Sequence, residues 1–271
     1  MDFVKVSATG NDFILIDAST LESQLEPLFI KKLCKRSEGI GSDGLILLAP
    51  SSKADGRMIY YNADGGRASF CGNGLRATAF FAKRLGWPCR LIESDVCLHH
   101  ISFQGEGIQV SMPEAYEMGP SFFFSGFVVH KVFLGVPHAV IFVEHLDSID
   151  VKTLGGSLRH GPEFGLEGCN VNFVEICKKN RIRIRTFERG VEAETLSCGS
   201  GAAAAAFIGH SLGVVNSLLE IIFKSGERAQ IEIKGSSLSM QGPVTPIYTG
   251  TICKEFDHAD WYSKRAEESR I

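Results

Sequence analysis

The pattern of hydrophobic and polar positions divides the chain into many short strands and a few helices. Apolar and polar residues alternate in SFQGEGIQVSM and in RIRIRTF, which is typical of half-buried antiparallel strands. In the first part of the chain, this pattern predicts strands at 2–7, 12–17, 44–49, 57–62, 96–104 and 107–111. Helical spacing predicts four helices, at 25–37, 72–86, 151–160 and 199–213. Since the strands at 10–17 and 131–143 lie far from the helices in sequence, the order is not a simple β-α-β alternation.

The sequence also repeats itself at an offset of about 125 to 130 residues. The segments KVSATGNDFILID and KVFLGVPHAVIFV each predict a strand, a glycine-containing turn and a second strand. Four such matches occur in the same order, which chance does not explain. The matched segments are 5–17 with 131–143, 57–66 with 183–192, 71–83 with 198–210, and 105–113 with 235–243.

We therefore predict an α/β (α+β) fold made of two duplicated, pseudo-symmetric halves. Each half is expected to form a mainly antiparallel sheet wrapped around its own central helix, with the active site in the cleft between the halves. The predicted halves span 1–115 and 116–250, and a last strand at about 245–252 can return to the first half. The polar segment 253–271 has no counterpart in the first half and is predicted to be a tail, with a helix as one option.

Length, charge and hydropathy exclude several classes of protein. The 271 residues suffice for two domains, each with its own core. A net charge of −3 provides no basic field for nucleic acid or for an anionic membrane. No apolar run approaches the ~20 residues that span a bilayer, and MDFVKVSATGNDF lacks the apolar core of a signal peptide. We therefore expect a cytoplasmic protein with a small-molecule ligand and with neither a nucleic-acid nor a membrane partner.

The eight cysteines give the first indication of chemistry. None forms the C-x-x-C spacing of a structural zinc site, so no metal is predicted. Most are expected to be free thiols with a packing role, because nothing in the sequence suggests secretion. Cys71 and Cys198 differ from the rest, since each stands before glycines at the start of a matched helix. A packing role would not require sulfur twice at the same place.

The helix starts after these two cysteines can bind an anion. Glycine has no Cβ, so a ligand can approach the backbone at Gly72 and at Gly199. The first N–H groups of a helix point outward with the positive end of the helix dipole behind them. This arrangement attracts a carboxylate and is expected to lower the pKa of a thiol. A phosphate-binding loop is an alternative whose glycine motifs are absent, and a structural relic of the duplication stays open as well.

Two such helix starts facing one cleft would place a thiol on either side of one carbon. One thiolate could then remove the proton next to the carboxylate, and the opposite thiol could return a proton to the other face. The helix N-termini would stabilise the negative charge that develops on the carboxylate. This scheme requires no cofactor, and the sequence contains no nucleotide-binding motif.

Eight motifs resemble those of the diaminopimelate epimerase family, whose members interconvert LL- and meso-diaminopimelate without pyridoxal phosphate. The resemblance covers roughly 1–252 and implies a fold of two similar halves, a homodimer, and a role in lysine and peptidoglycan-precursor biosynthesis. The motifs are GNDF (10–13), GSDGLI (41–46), NADG (62–65), CGNGLR (71–76), G-x-PH (135–138), NVNF (170–173), ERG (188–190) and ETLSCGSGA (194–202).

The resemblance also implies a role for each residue that matches a family motif. Cys71 and Cys198 would be the catalytic acid and base. His138 and Glu188 would assist the two thiols. The implied contacts of the reacting α-carboxylate are Asn11, Gly72, Asn73, Gly199 and Ser200. The implied contacts of the distal amino acid end of the substrate are Asn62, Asn170 and Arg189.

Three departures from the family pattern leave the two thiols untouched but bear on the choice of substrate. Val136 stands where the family has an asparagine that helps to bind the distal end of the substrate. VEAETLSC is one residue longer than the usual spacing before the second cysteine, and SAT at 7–9 replaces a common His-Gly-Leu. An amino acid racemase of broader specificity, acting for example on glutamate, therefore stays open. A non-catalytic binding or redox protein on the same fold stays open as well.

Overall fold

The computed structural model describes residues 1–21, 23–105, 107–235, 237–253 and 256, which form nineteen strands and four α-helices. The strands of the first part are β1 (Asp2–Ala8), β2 (Asn11–Asp17), β3 (Gly44–Ala49), β4 (Gly56–Asn62), β5 (Arg67–Ala68), β6 (Leu91–Glu93), β7 (Leu98–Gln104), β8 (Gly107–Ser111) and β9 (Tyr116–Glu117). The strands of the second part are β10 (Phe122–Phe124), β11 (Phe127–Leu134), β12 (Val136–Phe142), β13 (Asn170–Lys178), β14 (Arg181–Glu188), β15 (Ala193–Thr195), β16 (Leu218–Ile222), β17 (Arg228–Lys234), β18 (Ser237–Pro243) and β19 (Thr245–Thr251). The helices are α1 (Pro27–Cys34), α2 (Gly72–Arg84), α3 (Val151–Arg159) and α4 (Gly199–Ser211).

The strands form a continuous, mainly antiparallel arrangement that repeats about its centre. The central pair is β8 and β18, which lie antiparallel with Val110 opposite Met240. From β8 the order runs outward through β7, β6, β4, β3, β2 and β1. From β18 it runs through β17, β16, β14, β13, β12 and β11, with parallel pairs at the same steps. The predicted fold of two duplicated halves is confirmed.

Each half has one further strand at its outer edge, next to β1 or to β11. β19 pairs antiparallel with β1, and Phe3 lies opposite Gly250. In the same way β9, which follows the first half, pairs antiparallel with β11 of the second half. The segment 245–251 therefore lies beside the first half, and the two halves are joined at these edges as well as at the centre.

Each half encloses one helix. α2 packs against β1, β2, β3, β4 and β8, and α4 packs against β11, β12, β13, β17 and β18. The sheet can approach α4 closely because Ala202–Ala206 bury only small side chains. Both helices are followed by a glycine in the left-handed region, Gly86 at φ +75° and Gly213 at φ +72°, which is a common way to end a helix.

The hydrophobic core is continuous around the two enclosed helices. One cluster of buried apolar side chains includes residues of both α2 and α4 and spans both halves. α1 buries Ile30 and Leu33 in a separate cluster of the first half, and α3 buries Val151 and Leu158 in a separate cluster of the second. The N-terminal ends of α2 and α4 are therefore held by a shared core.

The four helices lie where the sequence predicts them, and the differences are at their ends. The first helix, predicted at 25–37, spans 27–34. Pro27 occupies its first turn, which favours a helix start, and Lys35 already has an extended backbone at φ −69° and ψ 119°. β6 was not predicted from the sequence, because three residues are too few to show an alternating pattern.

Two predictions concern segments or features about which the structure says little. The predicted tail at 253–271 lies outside the described residues except for Cys253 and Phe256. Among the helices of the described part of the chain, none is long and apolar enough to cross a membrane.

Candidate active site

The N-terminal ends of α2 and α4 meet at one cleft between the two halves. A Cβ atom on Gly72 would lie 3.7 Å from the Cα of Gly199, so the two helix starts are in close contact. The cleft has a volume of about 480 Å³ and is lined by residues of both halves. Cys71 and Cys198 both line it, so the two matched cysteines share one cleft.

Each of these cysteines is the N-cap of its helix, where an oxygen-bearing side chain is the usual choice. Sγ of Cys71 accepts a hydrogen bond from the N–H of Gly74 at 3.3 Å. Sγ of Cys198 accepts one from the N–H of Gly201 at 3.4 Å. Sγ of Cys198 also lies 3.5 Å from Oγ of Ser200. The helix backbone therefore fixes both sulfurs at equivalent positions.

Close packing leaves little room for a side chain directly after each cysteine. A Cβ on Gly199 would lie 3.0 Å from Oδ1 of Asn73 and 3.2 Å from Sδ of Met240. A Cβ on Gly72 would lie 3.2 Å from Cε of Met112. Because neither residue carries a side chain, the first N–H groups of both helices stay uncovered at the cleft. The helix starts can therefore accept a carboxylate, as the sequence predicts.

Burial dominates the pKa values of the two thiols. It raises the pKa of Cys71 to about 12 and also raises the pKa of Cys198 above its ordinary value. The N–H of Gly74 and the positive charge of Arg76 lower the pKa of Cys71, but by less than burial raises it. The expectation that the helix starts leave both thiols acidic is therefore wrong. The helices act in the predicted direction, and loss of contact with water outweighs them.

Glu188, at the end of β14, is a carboxyl group with an unusually high proton affinity. It lines the cleft, and burial raises its pKa to about 7 against an opposing hydrogen bond from Thr195. Its negative charge raises the pKa of both Cys71 and Cys198. Glu188 therefore titrates close to neutral pH, and its protonation favours the thiolate form of either cysteine.

His138, on β12, is fully buried and neutral. Burial lowers its pKa to about 3. Its Nδ1 lies 3.2 Å from Nδ2 of Asn172, whose Oδ1 accepts a hydrogen bond from Oγ1 of Thr186 at 2.9 Å. Because the Asn172 amide donates to Nδ1, the ring proton is assigned to Nε2, which has no partner among the described residues.

A buried hydrogen-bond network joins the two halves behind the cleft wall. Nδ2 of Asn73 donates to Oδ1 of Asn11 at 2.7 Å and to Oγ of Ser197 at 2.8 Å. Nη2 of Arg76 donates to Oδ1 of Asn73 at 2.9 Å and to Oγ1 of Thr9 at 2.7 Å. Arg76 is fully buried, and burial lowers its pKa to about 10. Since Ser197 directly precedes the second cysteine, this network ties the first helix start to the second.

Another part of the cleft wall carries amide and charged groups. Asn62, Val136, Asn170 and Arg189 all line the cleft. Oδ1 of Asn170 accepts a hydrogen bond from the backbone N–H of Arg189 at 2.8 Å. Nη1 of Arg189 lies 3.0 Å from Oε2 of Glu167. This wall can therefore bind a group that carries both a carboxylate and an ammonium, and Val136 is its apolar member.

Eleven of the thirteen predicted site residues line the cleft, whereas Asn73 and His138 are buried behind its wall. Lining residues that the sequence did not single out are Tyr60, Arg67, Ala68, Ser69, Phe70, Arg159, Leu166, Glu167, Gly190 and Ser197. The sequence could have indicated two of these, because Tyr60 shares a strand face with Asn62 and Ser197 directly precedes Cys198. Within the described residues, no group of three or more His, Cys, Asp or Glu side chains is placed to hold a metal ion.

The fold has known relatives among solved structures. The chain resembles a probable proline racemase from Agrobacterium radiobacter, with a TM-score of 0.72 and 12% identity over 96% of this chain and 94% of that one. It also resembles a hydroxyproline epimerase from Agrobacterium vitis, with a TM-score of 0.70 and 14% identity over 92% of this chain and 91% of that one. The chain therefore has the same class of fold as these two proteins.

The sequence narrows this class to one family. The profile of the family described as diaminopimelate epimerase matches residues 3–90 and 131–247. The diaminopimelate epimerase of Chlorobaculum tepidum is 39% identical over 255 residues, which cover 91% of this chain and 99% of that protein. The chain belongs to the diaminopimelate epimerase family.

Proposed function

We propose that this protein is an isomerase that interconverts LL- and meso-2,6-diaminopimelate without a cofactor, a step toward lysine and peptidoglycan precursors. The observation that carries the proposal is the pair of cysteines that cap two helix starts at one cleft. The family match and the 39% identity to a protein named diaminopimelate epimerase support the choice of substrate.

The two thiols invert the α-carbon by moving one proton on each face. The reacting carboxylate binds at the helix starts, where the N–H groups of Gly72 and Gly199 are uncovered, with Asn11 and Ser200 beside them. One sulfur, as thiolate, takes the Cα hydrogen as a proton, and the electron pair of the broken C–H bond spreads into the carboxylate. The helix dipoles stabilise this added charge. The opposite thiol then gives its proton to the other face and becomes the thiolate.

The high proton affinity of the thiols requires a partner for the proton that one of them loses. Glu188 can take it up, since its pKa of about 7 leaves it partly ionised at neutral pH. Transfer from a thiol to Glu188 creates the thiolate without changing the charge of the cleft. It also removes the negative charge that opposes the thiolate. Glu188 can thereby assist either cysteine, because its negative charge raises the pKa of both thiols.

The remaining predicted residues bind or position the substrate. Asn62, Asn170 and Arg189 hold its distal amino acid end in the polar part of the cleft wall. Asn73 acts from behind the wall by orienting the amide of Asn11, to which it donates at 2.7 Å. His138 also acts from behind the wall, as a neutral group in the layer that supports the second helix start.

Incubation with LL-diaminopimelate in deuterated water tests the proposal. The expected result is meso product with deuterium at the inverted α-carbon, because the thiol that reprotonates the carbon carries a deuteron from the solvent. Exchange with glutamate or other short amino acids, but not with diaminopimelate, would favour the racemase of broader specificity. A protein that exchanges the α-proton of no amino acid would be a binding or redox protein instead.

We further infer a cytoplasmic homodimer whose halves, 1–115 and 116–250, act as two domains around the cleft. All eight cysteines are free, which suits a reducing compartment. The resemblance to the family supports the homodimer. Light scattering coupled to size-exclusion chromatography would distinguish a dimer from a monomer of 29.6 kDa.

A further inference from the structure

Arg159 places a further guanidinium in the cleft that Val136, Arg189 and Arg67 also line. It is the last residue of α3, and its side chain is only 10% exposed. A cation that is nearly buried must be held by several partners, because loss of hydration is costly. None of the family motifs found in the sequence includes Arg159.

The protein holds the Arg159 guanidinium in one orientation. Its Nε donates to Oε1 of Glu192 at 3.0 Å, and its Nη1 donates to the carbonyl oxygen of Glu167 at 2.7 Å. Glu192 is itself fixed, because its Oε1 also accepts the N–H of Gly190 at 2.9 Å. A Cβ on Gly168 would lie 2.1 Å from Nη1, so the chain passes directly against the guanidinium at that glycine.

These contacts leave hydrogen-bond donors for a ligand. A guanidinium carries five N–H donors arranged as a fork. Glu192 faces the edge formed by Nε and Nη2, and Glu167 takes a donor of Nη1. These contacts use three of the five donors, so one N–H of Nη1 and one of Nη2 remain for a carboxylate in the cleft that Arg159 lines. Because the side chain of Glu192 is 45% exposed, water screens its negative charge and Arg159 keeps a positive field.

We propose that Arg159 binds the distal carboxylate of the substrate together with Arg189, and that Glu192 positions Arg159. This proposal rests on the function proposed above. It explains how the chain can do without an asparagine at Val136, since a guanidinium can donate to both oxygens of a carboxylate and valine can donate to neither. It also gives a role to the longer segment before the second cysteine, because Glu192 lies in that segment.

Three substrates separate binding of the distal carboxylate from a general effect on the site. Diaminopimelate has both distal groups, 2-aminopimelate keeps only the distal carboxylate, and lysine keeps only the distal ammonium. In Arg159→Gln, kcat/KM for the first two should fall about 10- to 100-fold, mainly through KM. Exchange of the α-proton of lysine in deuterated water should stay within about twofold of wild type. Glu192→Gln should also lower kcat/KM for diaminopimelate and 2-aminopimelate relative to the rate of lysine exchange, but by a smaller factor.

The matched control is Arg183→Gln, which removes an arginine of the same half whose exposed ion pair with Asp147 lies on the surface. It should change none of the three rates. If lysine exchanges too slowly to measure, dissociation constants for lysine and diaminopimelate in the Cys71→Ser background give the same ratio without turnover.

The outcomes distinguish this inference from the proposed function. If Arg159→Gln lowered the rates for all three substrates equally, or lowered none of them, the proposed role of Arg159 would be wrong. The proposed function would still stand, provided that the wild type epimerises diaminopimelate. A wild type that does not epimerise diaminopimelate would instead remove the proposed function, and the role of Arg159 with it.

Discussion

The two cysteine-capped helix starts have the same backbone and different surroundings. α2 and α4 each span thirteen residues, and each cap accepts the N–H of a glycine three residues on. A Cβ on that glycine in α2, Gly74, would lie 3.1 Å from Cδ1 of Ile46. A Cβ on Gly201 of α4 would lie 2.1 Å from Oδ1 of Asn172. The same place behind the helix is apolar in one half and polar in the other.

The difference continues along the neighbouring strands. In the second half, Asn172 accepts a hydrogen bond from Thr186 at 2.9 Å and its amide lies 3.2 Å from the ring of His138. The equivalent strand positions of the first half hold Phe13 and Tyr60, whose rings pack edge to face with centroids 6.0 Å apart. At these strand positions the second half therefore has hydrogen-bonded polar side chains, and the first half has aromatic rings.

The helix of the first half carries a buried charge that the helix of the second half lacks. Arg76 is the fifth residue of α2, and Ala203 is the fifth residue of α4. The charge of Arg76 lowers the pKa of Cys71, and the equivalent place beside Cys198 holds only a methyl group. Duplication thus preserved the cap and the sulfur but not the charges around them. The two thiols are chemically distinct, although their backbone settings are the same.

The largest expected effect tests what the two halves share. Cys71→Ser and Cys198→Ser should each lower epimerisation by about 100- to 10,000-fold, because a serine hydroxyl is far less acidic than a thiol. Turnover is measured for each variant in both directions. Cys97→Ser, which changes a cysteine outside the cleft, should keep wild-type turnover. Wild-type turnover in either of the first two variants would disprove the pairing of the thiols.

A smaller effect tests the buried charge that α2 has and α4 lacks. Arg76→Met should destabilise the fold by about 1–3 kcal/mol, because Asn73 and Thr9 lose a buried hydrogen-bond donor. It should also raise the pH at which Cys71 reacts with iodoacetamide, since the nearby positive charge is gone. Peptide mapping across a pH series measures this midpoint for each cysteine separately.

Cys198 is the internal reference for this experiment, because its alkylation midpoint should stay at the wild-type value. Arg84→Met, an exposed change at the end of the same helix, should shift neither midpoint nor stability. Equal shifts at both cysteines would mean that Arg76 acts on the fold as a whole rather than on one thiol.

A third prediction concerns a substitution that gives one position of the second half the residue found at the equivalent position of the first half. Asn11 begins β2, and Val136 begins the equivalent strand β12. Val136→Asn should raise kcat/KM for diaminopimelate relative to short amino acids by about 2- to 10-fold, because the amide adds a hydrogen bond to the distal end. The ratio is measured against a panel that includes glutamate. A constant or falling ratio would show that Val136 does not set specificity.

The smallest effect concerns the part of the pH dependence of stability that the buried ring of His138 contributes. His138 has its pKa lowered to about 3 by burial, so the unfolded chain binds more protons than the folded one between about pH 3 and 6.5. Stability from the buried neutral ring is therefore lost as the pH falls through this window. From pH 6.5 to 5.5, the wild type should lose up to about 1.4 kcal/mol more than His138→Gln. Denaturant unfolding at several pH values measures this difference.

The control for that measurement is His145→Gln, which changes an exposed ring. Its free energy of unfolding should depend on pH as that of the wild type does. If the free energy of unfolding fell equally with pH in the wild type and in His138→Gln, the assignment of a buried neutral histidine would be wrong. The first half offers no such titration at the equivalent place, because Phe13 stands there.

The sequence predicted the features that repeat locally. The duplicated halves, the four helices and the two cysteine-capped starts follow from motifs and periodicity within short segments. The pairing of β19 with β1 and of β9 with β11 could not be foreseen in full, because strand pairing is not encoded in local alternation. Arg76 was within a quoted motif, yet its link to Thr9 and Asn73 depends on contacts that only the folded core brings together.

Side-chain orientation and solvation were the least predictable aspects of the site. A motif names Asn73 and His138 but does not say that both lie behind the cleft wall. The sequence indicated the helix dipole at each thiol and gave no measure of burial, which has the larger effect on both pKa values. Arg159 and Glu192 come from separate segments, so only the structure shows that they form an ion pair.

The pairing of β1 with β19 sets an order of events during synthesis on the ribosome. β1 emerges from the ribosome long before β19, the strand that covers its outer edge. Until then the edge of β1 offers unpaired backbone groups to other strands, which is a risk for aggregation. β9, by contrast, is already available when β11 emerges. The second half can therefore complete its sheet edge while the first half still waits for its own.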